Sequence, residues 1–97
     1  MILILESESV TCNWTLIDFN LEEFLKTRTE GLNLGKLDVF NVCDILYSIK
    51  ELFKIKEEIK ILMLLYAEDN MCKKNQSNLR LIFRDYFPNA RITIDKV

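Results

Sequence analysis

Ile59-Lys60-Ile61-Leu62-Met63-Leu64-Leu65-Tyr66 decides the fold class. Only Lys60 interrupts this apolar run, and acidic residues bound it on both sides: Glu57-Glu58 before it and Glu68-Asp69 after it. It does not alternate and is short for a buried helix. That pattern predicts a central strand covered on both faces. The segments around it alternate between two periods. Val42, Ile45, Leu46, Ile49, Leu52 and Phe53 recur at the spacing of one helical face, and Leu79, Ile82, Phe83, Tyr86 and Phe87 repeat that spacing downstream. Arg91-Ile92-Thr93-Ile94-Asp95 has the period of two expected of a half-buried strand. A strand flanked by helices on both sides in sequence implies an α/β sheet with parallel pairs and right-handed connections.

Working outward to the amino end, Ile2 to Leu5 reads as a strand and Glu6 to Ser9 as a polar connection. Val10, Cys12, Trp14 and Leu16 then alternate with polar neighbours, so the two segments predict a hairpin. Asp18 or Asn20 caps an expected short helix carrying Leu21, Phe24 and Leu25. Leu32, Leu34, Leu37 and Val39 predict a further strand. The helix after it is expected to use Asn41 as N-cap and Asp44 as the third residue of a capping box. Ser77 or Asn75 is the expected cap of the last helix. The expected fold is therefore α/β, with a single-layer mixed sheet of about five strands and helices packed on it. Its order is β-β-α-β-α-β-α-β, and residues 1–97 form one domain.

Composition removes several function classes. With 97 residues, 49% hydrophobic residues, 2 glycines and 1 proline, the chain is neither disordered nor low-complexity. Thirteen basic and fifteen acidic residues give a net charge of −2, which excludes a strongly basic nucleic-acid footprint. There is no histidine, the commonest general base and metal ligand. Cys12, Cys43 and Cys72 form neither a disulfide framework nor a zinc motif. The amino terminus is too soon acidic for a signal peptide, and no apolar run approaches the ~20 residues of a spanning helix. These features predict a soluble cytoplasmic protein with no membrane, nucleic-acid, metal or cofactor partner and no enzymatic activity.

Two patches could carry chemistry. Glu68-Asp69-Asn70 follows the central strand, at the end where open α/β sheets place ligands, so it can hold a metal or a small ligand. A polar strand-end loop explains it as well. Cys43 lies near the start of a helix, where the macrodipole lowers a thiol pKa, but Asp44 opposes that and no histidine serves as base. The aromatics Phe83, Tyr86 and Phe87 fall on an apolar helix face and read as core.

Residues Lys36 to Leu46, with Phe40-Asn41-Val42-Cys43-Asp44 at their centre, resemble the strand-to-helix junction of the SiaC-type regulators. Those belong to the STAS-like group, the fold of anti-sigma factor antagonists. Ile61 to Asn70 is similar to the same family's strand ending in tyrosine and acidic residues. The resemblance implies a non-catalytic interaction domain in intracellular signalling. It would dock a protein partner, a kinase- or phosphatase-like regulator, through Asn41, Val42, Cys43, Asp44, Tyr47 and Ser48. The phosphorylatable Thr or Ser of that family is replaced here by Val42, Cys43 and Asp44, which leaves the docking half of the switch. The alternative is a ligand- or metal-binding domain or enzyme using residues 68–70. Ile92 and Ile94 on a terminal strand also make a homo-oligomer possible through edge pairing.

Overall fold

The computed structural model describes residues 1–8, 10–18, 20, 22–32, 39–54, 59–66 and 71–97. Five strands and two helices follow one another as β1 (Ile2–Ser7), β2 (Thr11–Ile17), β3 (Glu23–Glu30), α1 (Val39–Leu52), β4 (Lys60–Leu65), α2 (Lys73–Tyr86) and β5 (Arg91–Lys96). They form one mixed sheet in the order β3-β2-β1-β4-β5. β1 pairs antiparallel with β2 and β2 with β3, while β1–β4 and β4–β5 are parallel. The expected α/β class, the five-strand mixed sheet and the amino-terminal hairpin are present, and the strand expected at the centre is β4, interior to the sheet beside the middle strand β1.

The inner face is built in three rows that cross the sheet. Leu25, Leu16, Leu3, Ile61 and Ile92 form the first row, and Thr27, Trp14, Leu5, Met63 and Ile94 the second. Thr29, Cys12, Ser7, Leu65 and Lys96 form the third. Val42, Leu46 and Ile49 of α1 and Leu79 and Phe83 of α2 complete one core with the buried members of those rows. Burying an aliphatic or aromatic side chain of this kind stabilises the fold by roughly 1.5–3 kcal/mol. Both helices therefore draw on the same sheet face.

Apart from Ile17, which is buried at the end of β2, the opposite face carries half-buried and exposed residues among those described. Along β1, β4 and β5 it runs from a basic row, Ile2-Lys60-Arg91, through a neutral one, Ile4-Leu62-Thr93. It ends on an acidic row, Glu6-Leu64-Asp95. The continuous apolar run of β4 thus splits into buried Ile61, Met63 and Leu65 and half-buried Leu62 and Leu64. Full cover on both faces, expected from the run, is found on one.

Three local expectations change. The helix expected to carry Phe24 and Leu25 is strand β3. Thr27 and Thr29 continue the inward alternation begun by Leu25, and β-branched residues favour the pleated surface. Asp18 forms a turn rather than a helix cap: its Oδ1 accepts from the backbone N–H groups of Asn20 (2.8 Å) and Glu22 (2.9 Å). The Asp18 N–H donates to Glu22 O at 3.1 Å, closing the β2–β3 connection. The order is accordingly β-β-β-α-β-α-β, not the STAS-like order.

Helix boundaries also move. α1 begins at Val39, two residues before the expected N-cap. Asn41 then lies inside the first turn and Asp44 in the second, so neither is the expected cap or box residue, and the first turn holds no acidic group. Residues 33–38, most of the strand expected before α1, lie outside the described residues. α2 starts after an N-cap at Cys72, before either expected cap. Lys73-Lys74-Asn75 carries no apolar residue, so periodicity alone starts the helix too late. The Gln76 Nε2 donates to the Met71 carbonyl at 3.1 Å across that first turn. Leu52, expected on the core face of α1, is 75% exposed.

Candidate functional site

Parallel strands leave their carboxyl ends side by side, and in open α/β sheets ligands bind beyond those ends. Here Ser7 pairs with Leu65 and Leu65 with Lys96, so the ends of β1, β4 and β5 form one edge. The start of β2 joins it, because Cys12 is the antiparallel partner of Ser7. The Glu8 N–H donates to Thr11 O at 2.8 Å and closes the turn from β1 to β2. The Tyr66 N–H donates to Ser7 O at 3.1 Å, fixing the residue after β4 against the end of β1.

The polar groups of this edge converge. The Tyr66 hydroxyl donates to Glu6 Oε2 at 2.7 Å. That hydrogen bond is the main reason the Tyr66 phenol is held above its ordinary pKa, followed by burial and by the charges of Glu6 and Glu8. Ser7 is fully buried and occupies a row position that Leu3 and Leu5 fill with apolar side chains. The sequence reading passed over Glu6 and Ser7 as a connection. Continuing the alternation of Leu3 and Leu5 by one more step would have placed Ser7 inward and Glu6 outward.

The residues expected to dock a partner all lie on α1, and not all of them reach its surface. Val42 is buried in the core, Cys43 is half-buried, and Asn41, Asp44, Tyr47 and Ser48 are exposed. Cys43 faces α2, where its hydrogen bond with Tyr86 is the main cause of that phenol's raised pKa; burial and the nearby Asp44 and Asp85 charges add to it. Asp44 and Ser48 line a cavity of about 200 Å³ with Leu25, Thr27 and Ile45, between α1 and β3. Cys43 is the fifth residue of α1, further from the helix start than the sequence implied. Glu68, Asp69 and Asn70 lie outside the described residues, and so does the alternative site built on them.

Among the described residues, no group of three or more His, Cys, Asp or Glu is placed to hold a metal ion. No described helix is long and apolar enough to cross a membrane.

No family model and no curated protein matches the chain. Solved structures do. An N-acetylglucosamine kinase-like protein of Porphyromonas gingivalis matches 99% of the chain with a TM-score of 0.63 at 18% identity. A Ppx/GppA family protein of Aquifex aeolicus matches 96% with a TM-score of 0.52 at 15% identity. An exopolyphosphatase of Cytophaga hutchinsonii matches 98% with a TM-score of 0.51 at 11% identity. The chain spans about a third of each, 34% in all three cases. At these identities the likeness shows the fold alone.

The likeness corrects the SiaC-type, STAS-like assignment. Three antiparallel strands precede the first helix, which is not the STAS-like order, and the fold matches that of the structures named above. It also overturns the expectation of a non-catalytic signalling domain without enzymatic character, since the neighbours are enzymes. The absence of histidine does not by itself exclude an enzyme, because a catalytic base need not be an imidazole.

Proposed function

We propose that the chain forms an enzyme-like sheet that binds a phosphorylated ligand, as its divalent-cation complex, at the carboxyl ends of β1 and β4. The observation that carries this reading is the match of nearly the whole chain to one third of a sugar-kinase-like protein and of polyphosphate-processing enzymes. Chemistry at the edge sets its form. Glu6 and Glu8 make the edge negative, so a bare phosphate is repelled. Mg²⁺ is characteristically held by one or two carboxylates together with substrate phosphates, which suits a site with two nearby carboxylates and no complete metal cage. Glu6 is oriented by Tyr66, and Glu8 sits in the turn fixed by its N–H to Thr11. In this role the carboxylates meet the cation and the cation meets the phosphate.

Thermal unfolding with Mg²⁺ alone, ADP alone, short-chain polyphosphate alone and each Mg²⁺ combination tests the proposal. Ligand at about a hundred times its Kd adds about 2.7 kcal/mol, which raises Tm by roughly 10–20 °C in a domain of this size. The rise is expected only where cation and phosphate are present together. It should disappear in a Glu6→Gln, Glu8→Gln double variant that still unfolds cooperatively. A flat response to every combination refutes the reading.

A further inference from the structure

We infer that Tyr66 is a positioning residue that sets the cation preference of the carboxyl edge, holding Glu6 to ligation through one oxygen and so favouring Mg²⁺ over Ca²⁺. The inference deepens the proposed function and rests on it. Register explains the placement. Glu6 pairs with Leu64 across the parallel β1–β4 ladder, and Tyr66 lies two residues beyond Leu64. The Tyr66 N–H donates to Ser7 O at 3.1 Å, so the ladder continues one residue past β4. Side chains two apart on a strand share a face, which puts the phenol on the side of Glu6. Its hydroxyl spans the diagonal and donates to Glu6 Oε2 at 2.7 Å. Tyr66 is thus tied to the end of β1 twice, by backbone and by side chain.

A hydroxyl donating to a carboxylate makes a charge-assisted bond, short and strong. This one engages Oε2 and fixes where the Glu6 carboxylate sits, so a cation takes Glu6 through the other oxygen. The two ions respond differently to that constraint. Ca²⁺ gathers many oxygens in flexible geometry and often takes both oxygens of one carboxylate. Mg²⁺ demands near-ideal octahedral geometry, keeps several waters and takes one or two carboxylates beside substrate phosphates. Selectivity between them follows ligand number and flexibility, and the Tyr66 hydroxyl removes one ligand atom and one freedom together. Glu8 differs from Glu6. It is exposed, its backbone N–H closes the turn on Thr11 O, and its charge acts on the same phenol. Glu8 therefore adds charge to the edge, while the pair Glu6–Tyr66 adds geometry.

Calorimetric titration of the whole chain with Mg²⁺–ADP and Ca²⁺–ADP, and with the same ions and tripolyphosphate, reads the preference directly. The starting protein should bind the Mg²⁺ complexes more tightly. Losing a group that orients a metal ligand typically costs about 10–100-fold in metal affinity. Tyr66→Phe should therefore weaken the Mg²⁺ complexes roughly tenfold or more. Ca²⁺ can use the oxygen that the hydroxyl releases, so it loses less and the Mg²⁺-to-Ca²⁺ affinity ratio falls. Glu6→Asp, one methylene shorter, draws the carboxylate back from the hydroxyl and should lower the ratio with Tyr66 left in place. Glu8→Gln should weaken both ions' complexes and leave the ratio where it was. Melting curves confirm that each variant is folded. A tyrosine that serves structure alone would weaken both ions alike, so an unchanged ratio in Tyr66→Phe and Glu6→Asp overturns the inference while the proposed ligand class stands. A starting protein that prefers Ca²⁺ overturns it as well, as does a ratio that falls as far in Glu8→Gln, because charge then sets the preference. Binding of neither cation complex to the starting protein refutes the proposed function and this inference together.

Discussion

Thr29→Val tests the placement of β3 at the point where sequence reasoning and structure part most sharply. Trp14 is fully buried, and its indole Nε1–H donates to Thr29 Oγ1 at 2.9 Å across the β2–β3 pair. In a fold with a helix in place of β3, the two residues would have no reason to meet. Valine keeps the shape of threonine and removes the acceptor, leaving a buried indole N–H unpaired. Stranding a buried donor costs about 1–3 kcal/mol. A domain of this length has a total stability of roughly 5–15 kcal/mol, and each kcal/mol moves Tm by about 4–8 °C. Thr29→Val should therefore lower Tm by roughly 5–20 °C, with the midpoint of urea unfolding falling and its slope unchanged. Trp14→Phe removes the donor from the other side. The double variant should recover about 0.5–1.5 kcal/mol relative to the sum of the singles, because the second change finds the bond already broken. Circular dichroism reads all four proteins without relying on the tryptophan. A coupling of zero, or a Thr29→Val protein as stable as the parent, would show that this cross-strand bond does not exist and that β3 is misplaced.

The two faces of α1 should respond in opposite ways. Leu46→Ala removes a fully buried side chain and is expected to cost about 2–5 kcal/mol. Leu52→Ala, at a position 75% exposed, should change stability by no more than about 0.5 kcal/mol in denaturant titrations. Tyr66 and Tyr86 supply an alkaline signature. Both phenols are raised, so the stability tied to their neutral forms is fully present below the ordinary tyrosine value near 10. It is lost as pH rises through their higher folded values. Spectroscopic titration should show late ionisation that returns to the ordinary range on unfolding, and Tyr66→Phe should remove its part of the stability slope above that pH. Two tyrosines ionising in the ordinary range would contradict the Glu6 and Cys43 contacts.

The legible parts of the fold were those with a strong period. β4, the two helix stripes and the β1–β2 alternation each carry enough apolar residues to fix their type from sequence. β3 was lost because Glu22, Glu23 and Asp18 look like the first turn and cap of a helix, while only Thr27 and Thr29 speak for a strand. The outcome depends on Trp14 and Leu16, which already present a half-built face for β3 to cover. A single segment does not contain that information. Tertiary pairing overrides local preference here, as it did at α1, where Val39 joins the helix although its β-branch favours a strand.

The candidate site was harder to read for a related reason. Sequence motifs mark chemistry when the ligand is gripped by residues close together in the chain, as in a glycine-rich phosphate loop. This edge is assembled from the end of β1, the start of β2 and the residue after β4. Glu6 and Tyr66 are separated by 60 positions in the chain and by 2.7 Å in the structure. Their meeting follows from parallel pairing of β1 with β4, which an α1 crossover makes possible. The resemblance at residues 36–46 drew attention to the start of α1, yet that helix contributes Val42, Leu46 and Ile49 to the core beneath the sheet. In an open α/β sheet, what the crossover helix does for the site is hold two strands in register. Ligands of such sheets bind where those strands end.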